Sequence, residues 1–377
     1  MHHLNTVKIE RAMPVVDQIS HQVRTLLKDE SFPSGSKLPS TAEMARMWES
    51  DAKTVHRAMT CLVKEGLLYR KPGSGTFVRE RSEAMTQVGI YYQNSALGSR
   101  GSLYIQALQA AIAAELQEKG IEMSILSDPR SGKQAGEPWE LLTTAARRRE
   151  FQGLIVPVVD AEHLPWLLKM PVPTIFQYAG DIPNKVEYDF KQFAELSLGL
   201  LAEKGCRSVG LICPFTISEK NRTYSPYLNP DISGVIFETF VDTARVLGLE
   251  IRSEGMRTER MRIPRREGES YDHCQERLGY EQFNALWRLD QKPEGLIVYP
   301  DTFVRSVLFG IAEKAVRVPD DLKLVLHRNA GIELFCPLSA DFVVSDEREI
   351  AKALVGQLER QFHGDSIAPQ SVPFHLA

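Results

Sequence analysis

Lys53, Thr54, His56 and Arg57 fall on one side of a short helical stretch whose other side carries Val55, Ala58, Met59, Leu62 and Val63. A cationic, hydrogen-bonding helix face of that width suits the phosphates and base edges of a duplex groove. Lys37, Ser40 and Thr41 precede it, and the run Lys71-Pro72-Gly73-Ser74-Gly75 follows it. Gly73 and Gly75 carry no side chain to hold a backbone away from a polyanion. A second group of polar and aromatic residues is scattered: Tyr92, Asn94, Asp189, Asp301 and Arg328 each follow an apolar run, and Tyr104 opens a helical stretch. Aromatic faces and fixed acceptors of this kind line clefts for small molecules, and Tyr92 and Tyr104 could stack on a sugar ring or pack in a core. Catalytic patterns are missing: the chain has no Gly-x-x-x-x-Gly-Lys-Ser/Thr, no His-Glu-x-x-His and no Gly-x-Ser-x-Gly. His273-Cys274 lacks further partners for a metal. The expectation is no enzyme, no cofactor and no metal.

The elements that position the first group are legible. Val15, Val16, Ile19, Val23, Leu26 and Leu27 recur at helical spacing. Ser31–Lys37 is a turn by its Pro, Gly and Ser content. Ser40-Thr41-Ala42-Glu43 is a capping box opening a short helix with Met44, Met47 and Trp48 on its apolar side. Asp51 supplies the N-cap of the next helix, which carries Lys53 to Arg57. Strands Leu67–Lys71 and Thr76–Arg79 enclose the glycine-rich tip. Three helices and a hairpin make a winged helix-turn-helix, predicted over residues 1–82, with a charged linker at 83–87.

From residue 88 to 377 the rhythm changes to apolar strands of five or six residues alternating with helices, ending with the strand Leu322–Leu326. Such runs predict parallel sheets covered on both faces. About 290 residues exceed one convenient core, so an α/β fold of two doubly wound lobes is expected. Ligands of such sheets bind beyond the carboxyl ends of strands, here at Tyr92-Gln93-Asn94, Asp189-Phe190, Pro214-Phe215, Pro300-Asp301 and His327-Arg328-Asn329.

Two resemblances follow. The head is similar to the DNA-binding domain of GntR-type bacterial regulators through Leu38-Pro39-Ser40, Glu43, Ala45, Thr54-Val55, Ala58, Glu65-Gly66-Leu67-Leu68 and Gly73-x-Gly75-Thr76-Phe77-Val78. The resemblance implies the docking mode on DNA. Ala42, Ala52 and His56 stand where that family carries basic residues, so its operator sequence is not carried over. The body resembles the effector domain of LacI-type regulators, of the type I periplasmic-binding-protein-like class. The carrying residues include Val88-Gly89-Ile90, Gly153-Leu154-Ile155-Val156, Val186 with Asp189, Gly205 to Gly210, Pro293 to Ile297, Asp301 and Val318 to Asp321. That resemblance implies that Asp301 touches the effector and Asp189 lies near the hinge. Ile236 replaces a usual Arg, and the usual Asp near His327-Arg328-Asn329 is absent, which argues against an ordinary monosaccharide effector. Thr216–Asp231 and Arg257–Glu269 have no counterpart. The second, with five arginines, is either a clamp for an anionic effector or a solvated loop.

Composition fits this division. Of 377 residues, 43% are hydrophobic and 25% charged, an ordinary globular balance that argues against fibrous, disordered or membrane classes. The five cysteines form no Cys-x-x-Cys, and with no apolar leader the expectation is a reducing cytoplasm without a membrane partner. Residues 1–82 hold 13 Lys and Arg against 9 Asp and Glu, while the rest hold 32 against 40. The basic head on an acidic body predicts that only the head meets double-stranded DNA. The reading is an effector-controlled transcription regulator, a homodimeric repressor of a carbohydrate-related operon. The alternative is a soluble small-molecule-binding protein whose head is a protein-interaction module.

Overall fold

A computed structural model describes residues 14–28, 32–33, 35–79, 84–93, 102–130, 132–159, 163–178, 181–213, 239–257 and 269–377. The head begins with α1 (Val15–Lys28), α2 (Thr41–Met47) and α3 (Ala52–Lys64), followed by the antiparallel pair β1 (Leu68–Lys71) and β2 (Gly75–Val78). Ile19, Val23, Met44, Trp48, Val55, Ala58, Met59, Leu62 and Leu68 close a core of its own. Most of the expected stripes face one another, but Val15 is exposed, and Val16, Leu26, Met47 and Val63 are only partly buried.

The body enters its first sheet earlier than the expected linker allows. Met85 is already buried, and the backbone N–H groups of Thr86 and Gln87 both donate to Gln152 Oε1, at 3.0 and 2.7 Å. One lobe contains β3 (Gln87–Gln93), α4 (Leu103–Glu118), β4 (Glu122–Asp128), α5 (Glu140–Arg148), β5 (Gly153–Val156), α6 (Leu164–Leu167), β6 (Thr174–Gln177) and β7 (Lys185–Tyr188). The chain then crosses to a second lobe through α7 (Phe190–Glu203), β8 (Ser208–Ile212), α8 (described over 239–246) and β9 (Glu250–Arg257). That lobe continues with α9 (Tyr271–Trp287), β10 (Gly295–Val298), α10 (Asp301–Glu313), β11 (Lys323–Asn329) and β12 (Ala340–Ser345). Helix α11 (Glu347–Phe362) returns to the first lobe, β13 (Gln370–Val372) completes its sheet, and β14 (His375–Leu376) completes the other.

The sheet orders are β13-β7-β6-β5-β3-β4 and β14-β12-β11-β10-β8-β9, parallel throughout except for the β12–β14 pair. The two-lobed expectation is met, with three differences. The expected helix over 161–169 is a single described turn, with Pro165 at its start. Helix α9 begins ten residues before the expected Glu281, because Ser270 caps it by accepting from the His273 N–H at 3.1 Å. The elements after Leu326 were not anticipated, although Ile350, Leu354 and Leu358 are spaced for one buried face of α11. That helix lies close over β5: a Cβ on Gly153 would come 2.9 Å from Leu358. At the crossings Phe374 packs against Phe193, with ring centroids 5.0 Å apart, and against Tyr188, Phe190 and His327. Among the described residues no helix is long and apolar enough to cross a membrane.

Candidate DNA interface and effector cleft

In the head, side chains satisfy the free N–H groups that open both helices of the pair. Ser40 Oγ accepts from the Glu43 N–H at 3.2 Å, while Glu43 accepts from the Ser40 N–H at 2.7 Å. Asp51 Oδ2 accepts from the Thr54 hydroxyl, and Asp51 Oδ1 accepts from the Lys53 and Thr54 N–H groups at 2.7 and 3.0 Å. These bonds, those to Ser40 and Thr54 foremost, hold the carboxyls of Glu43 and Asp51 below their usual range. Lys53, His56 and Arg57 are exposed on α3, opposite its buried residues. Thr54 differs from the expectation in one respect: its hydroxyl proton is already given to Asp51 and is not free for a phosphate.

The wing gathers two lysines. Lys37 bridges to Phe77, and its Cε lies 2.8 Å from where a Gly75 side chain would begin. Gly75 also has φ 122°, and Lys71 is its register partner, so Lys37 and Lys71 both adjoin Gly75. Gly73, at φ 71°, has open space where a side chain would stand. Arg70, not anticipated, fastens the wing to α3 by donating to Thr60 Oγ1 at 2.9 Å.

The body presents a cleft between its lobes. At the carboxyl ends of β10 to β12 runs a chain of hydrogen bonds. The Asp301 N–H donates to His327 Nδ1 at 3.1 Å, so the ring proton sits on Nε2, which faces Ser345 Oγ at 3.0 Å. Ser345 donates to Asn329 Oδ1 at 2.6 Å, and the nearby Asn329 side chain favours the ionised Asp301 carboxyl. His327, Asn329, Ser345 and Asp301 are all buried. Burial brings the His327 pKa down to about 3 and raises that of Asp301, against the pull of Asn329 and the Thr302 N–H. Glu347, at the start of α11, accepts from the Gly331 N–H at 2.9 Å, and burial raises its carboxyl too.

The other lobe contributes phenols. Tyr92 is fully buried, and Tyr104 lies within hydrogen-bonding reach of Gln177 and, at 3.5 Å, of Tyr188. Burial raises all three tyrosine pKa values. One hydrogen bond spans the lobes, from the Leu103 N–H to Asp272 Oδ2 at 2.9 Å. Five buried polar atoms here have no partner among the described residues: Tyr92 Oη, Gln177 Oε1, Asp272 Oδ1, Thr302 Oγ1 and Glu347 Oε1.

Of the expected effector residues, the structure brings Tyr92, Tyr104 and Asp301 together. Asp189 caps α7, accepting from the Gln192 N–H at 3.0 Å, and its own N–H donates to Val372 at a crossing between the lobes. Arg328 is separated from the set: it leaves β11 on the face opposite His327 and Asn329, with its guanidinium 5.3 Å from the Phe342 ring centroid. Asn94, Pro214-Phe215, Ile236 and most of the arginine-rich stretch lie outside the described residues. Sequence reading named His327 only as part of a strand-end segment, and it missed Gln177, Asp272, Ser345 and Glu347. The only available signal was the polar residue ending or following each apolar strand. Among the described residues, no cluster fit to hold a metal is present.

A gapped helix pair with a basic wing, joined to two lobes around a polar cleft, defines a DNA-binding transcription regulator. Residues 15–78 match the family model for bacterial regulatory proteins of the gntR family, and residues 198–375 match the periplasmic binding protein-like domain. The head thus matches the gntR helix-turn-helix, and the body combines a periplasmic binding protein-like match with the fold of LacI family regulators.

The chain is 35% identical over 89 residues to the HTH-type transcriptional repressor NagR of Bacillus subtilis, a match covering 24% of this chain and 37% of that protein. It is 23% identical over 368 residues to the arabinose metabolism transcriptional repressor of Halalkalibacterium halodurans, covering 91% and 89% of the two chains. A LacI family regulator from Clostridium acetobutylicum superposes with TM-score 0.58 at 17% identity over 78% of this chain and 98% of that one. The regulator CelR in complex with cellobiose gives 0.57 at 13% identity over 90% and 98%. These two share the fold.

Proposed function

We propose that this protein is a cytoplasmic, homodimeric repressor of a carbohydrate-related operon, released or retained on its operator by a small hydroxyl-rich effector. Lys53, His56 and Arg57 enter the major groove. Ser40 and Thr41 at the start of α2 lie against the backbone, and Lys37, Lys71, Gly73 and Gly75 bring the wing to phosphates. Tyr92, Tyr104 and Asp301 hold the effector with Gln177, Asp272, Thr302 and Glu347, while Asp189 serves the hinge.

One observation carries the effector reading: five buried polar atoms at the interlobe cleft lack partners among the described residues. Leaving such atoms dry costs about 1–3 kcal/mol each, which a bound partner removes. Three of the five are carbonyl or carboxylate oxygens and two are hydroxyls, so the set asks for a ligand rich in donors. A sugar meets that demand. The names of the arabinose metabolism repressor and of the CelR–cellobiose complex add the sugars to try first. The test is operator binding, with DNA from upstream of the protein's own gene, titrated with a panel including arabinose and cellobiose. Operator affinity should change at least tenfold with one neutral sugar, and Asp301→Asn should abolish that response. A duplex that never binds removes the repressor reading. Binding that no sugar alters removes the effector reading.

A further inference from the structure

The seam between head and body holds a cavity of about 1680 Å³, lined by the last turn of α3, the end of β2, the end of α5 and the loop before β6. Its walls carry Lys64 and Arg79 from the head and Arg147, Arg149 and Lys169 from the body. None of these five forms an ion pair among the described residues. Glu65, also on the wall, is held by Arg24 through two bonds of 2.9 and 2.7 Å, leaving Asp365 as the remaining carboxylate of the lining.

Two local features aim this charge inward. Gly66 follows α3 with φ 76°, the left-handed conformation glycine favours at a helix end. Arg149 ends α5 in the same conformation, φ 59° and ψ 36°, where a side chain is strained. The two caps meet: Arg149 donates to the Gly66 carbonyl at 2.9 Å, and its guanidinium lies 3.4 Å from where a Gly66 side chain would begin. Arg149 therefore reaches across the seam from a position where glycine would be cheaper. Partial burial, and after it the charge of Arg79 brought from the other module, weaken its hold on the proton. Like charges from two modules thus face each other across the cavity.

We propose that this junction is a binding site for a small phosphate-bearing anion, bridged by Arg79 and Arg149 and separate from the effector cleft. Guanidinium forks match phosphate oxygens in pairs, and an anion between two cations turns their repulsion into attraction toward a shared centre. Because the cations come from both modules, the anion binds best when head and body are docked, so it biases where the head is held. DNA is the wrong occupant on position: the groove-facing Lys53 to Arg57 start α3 and the cavity takes Val63 and Lys64 at its end, roughly 9–16 Å further along the axis.

The test uses the full-length protein and calorimetric titration with inorganic pyrophosphate at constant ionic strength. A sugar phosphate and inorganic phosphate serve as second arms to separate a phosphorylated metabolite from free phosphate. Saturable pyrophosphate binding should weaken at least tenfold in Arg149→Gln and, separately, in Arg79→Gln. Arg148→Gln removes the same charge one residue away, outside the lining, and should alter binding less than twofold. An absence of saturable heat, or equal weakening by Arg148→Gln, overturns the proposal. So does duplex DNA, rather than pyrophosphate, proving to depend on Arg149. The calorimetric outcomes leave operator and sugar binding as separate questions.

Discussion

The head and the body handle polar groups in opposite ways. The head leaves Lys53, His56 and Arg57 in water and satisfies Glu43 and Asp51 with capping bonds. The body buries Asp301, His327, Asn329, Ser345 and Glu347 and links them mainly to one another. The difference follows from the partner each must meet. Duplex DNA brings a dense negative field that exposed cations feel before contact. A small neutral ligand has no such field and must be gripped by oriented dipoles in a dry cleft.

The largest effect should come from cutting the buried hydrogen-bond chain. His327→Leu leaves the Asp301 N–H without its acceptor and Ser345 Oγ without its donor. Two such losses should destabilise the body by about 2–4 kcal/mol. Calorimetric melting should show this while operator affinity at low temperature stays near wild type. Loss of operator binding at a temperature where the body remains folded would mean that the two modules are not separable in this way.

Next in size are the exposed cations. Lys53→Ala and Arg57→Ala should each weaken operator binding about tenfold, near 1.4 kcal/mol, and lower the slope of log affinity against log salt by about 1. Anisotropy titrations from low to physiological salt measure both. An unchanged slope takes the residue off the phosphates. Smaller again is the cap: Asp51→Ala removes the acceptor that opens α3, and it should lower the unfolding midpoint of the head by a few degrees with no shift in the body's.

The same contrast governs how much of each module is legible in the amino-acid order alone. The head's elements announce themselves because Ser40, Glu43 and Asp51 act on residues two or three places away, and the apolar stripes repeat within one helix. Arg70 escaped because its bond to Thr60 depends on how the hairpin folds back over α3. In the body, strand and helix alternation was plain, but the site is assembled from residues 92 to 347, and sequence distance hides it. Asp301 was legible from its place after an apolar run, and the resemblance supplied its contact with the effector. His327 and Ser345 are linked across paired strands β11 and β12, a register that no local pattern sets. Arg328 was expected in the cleft because it follows an apolar run, yet alternation along β11 turns it to the other face. The helix α11 carried its 3.6-residue period openly in Ile350, Leu354 and Leu358, and Glu347 opens that helix.

The gentlest effect separates the two modules by sign. Glu43 and Asp51 ionise below their usual range because capping bonds favour the carboxylate. Their contribution to the head is therefore present above the ordinary carboxylate pKa and is lost as pH falls through the folded values. Asp301 and Glu347 ionise above their usual range because burial disfavours the charge, with Asp272 and Asp346 adding repulsion and Arg305 opposing it. Their contribution to the body is full below the unfolded values, near 4, and is lost as pH rises through the folded ones. The double variant Asp301→Asn, Glu347→Gln cannot ionise yet keeps the acceptor that Gly331 uses. Its body should melt higher than wild type at neutral pH, and the advantage should shrink on acidification toward pH 4. The head of the same variant should still lose stability with acid, as wild type does. Parallel body profiles for variant and wild type would mean that a cation already neutralises the cleft, and the demand for a donor-rich ligand would weaken with it.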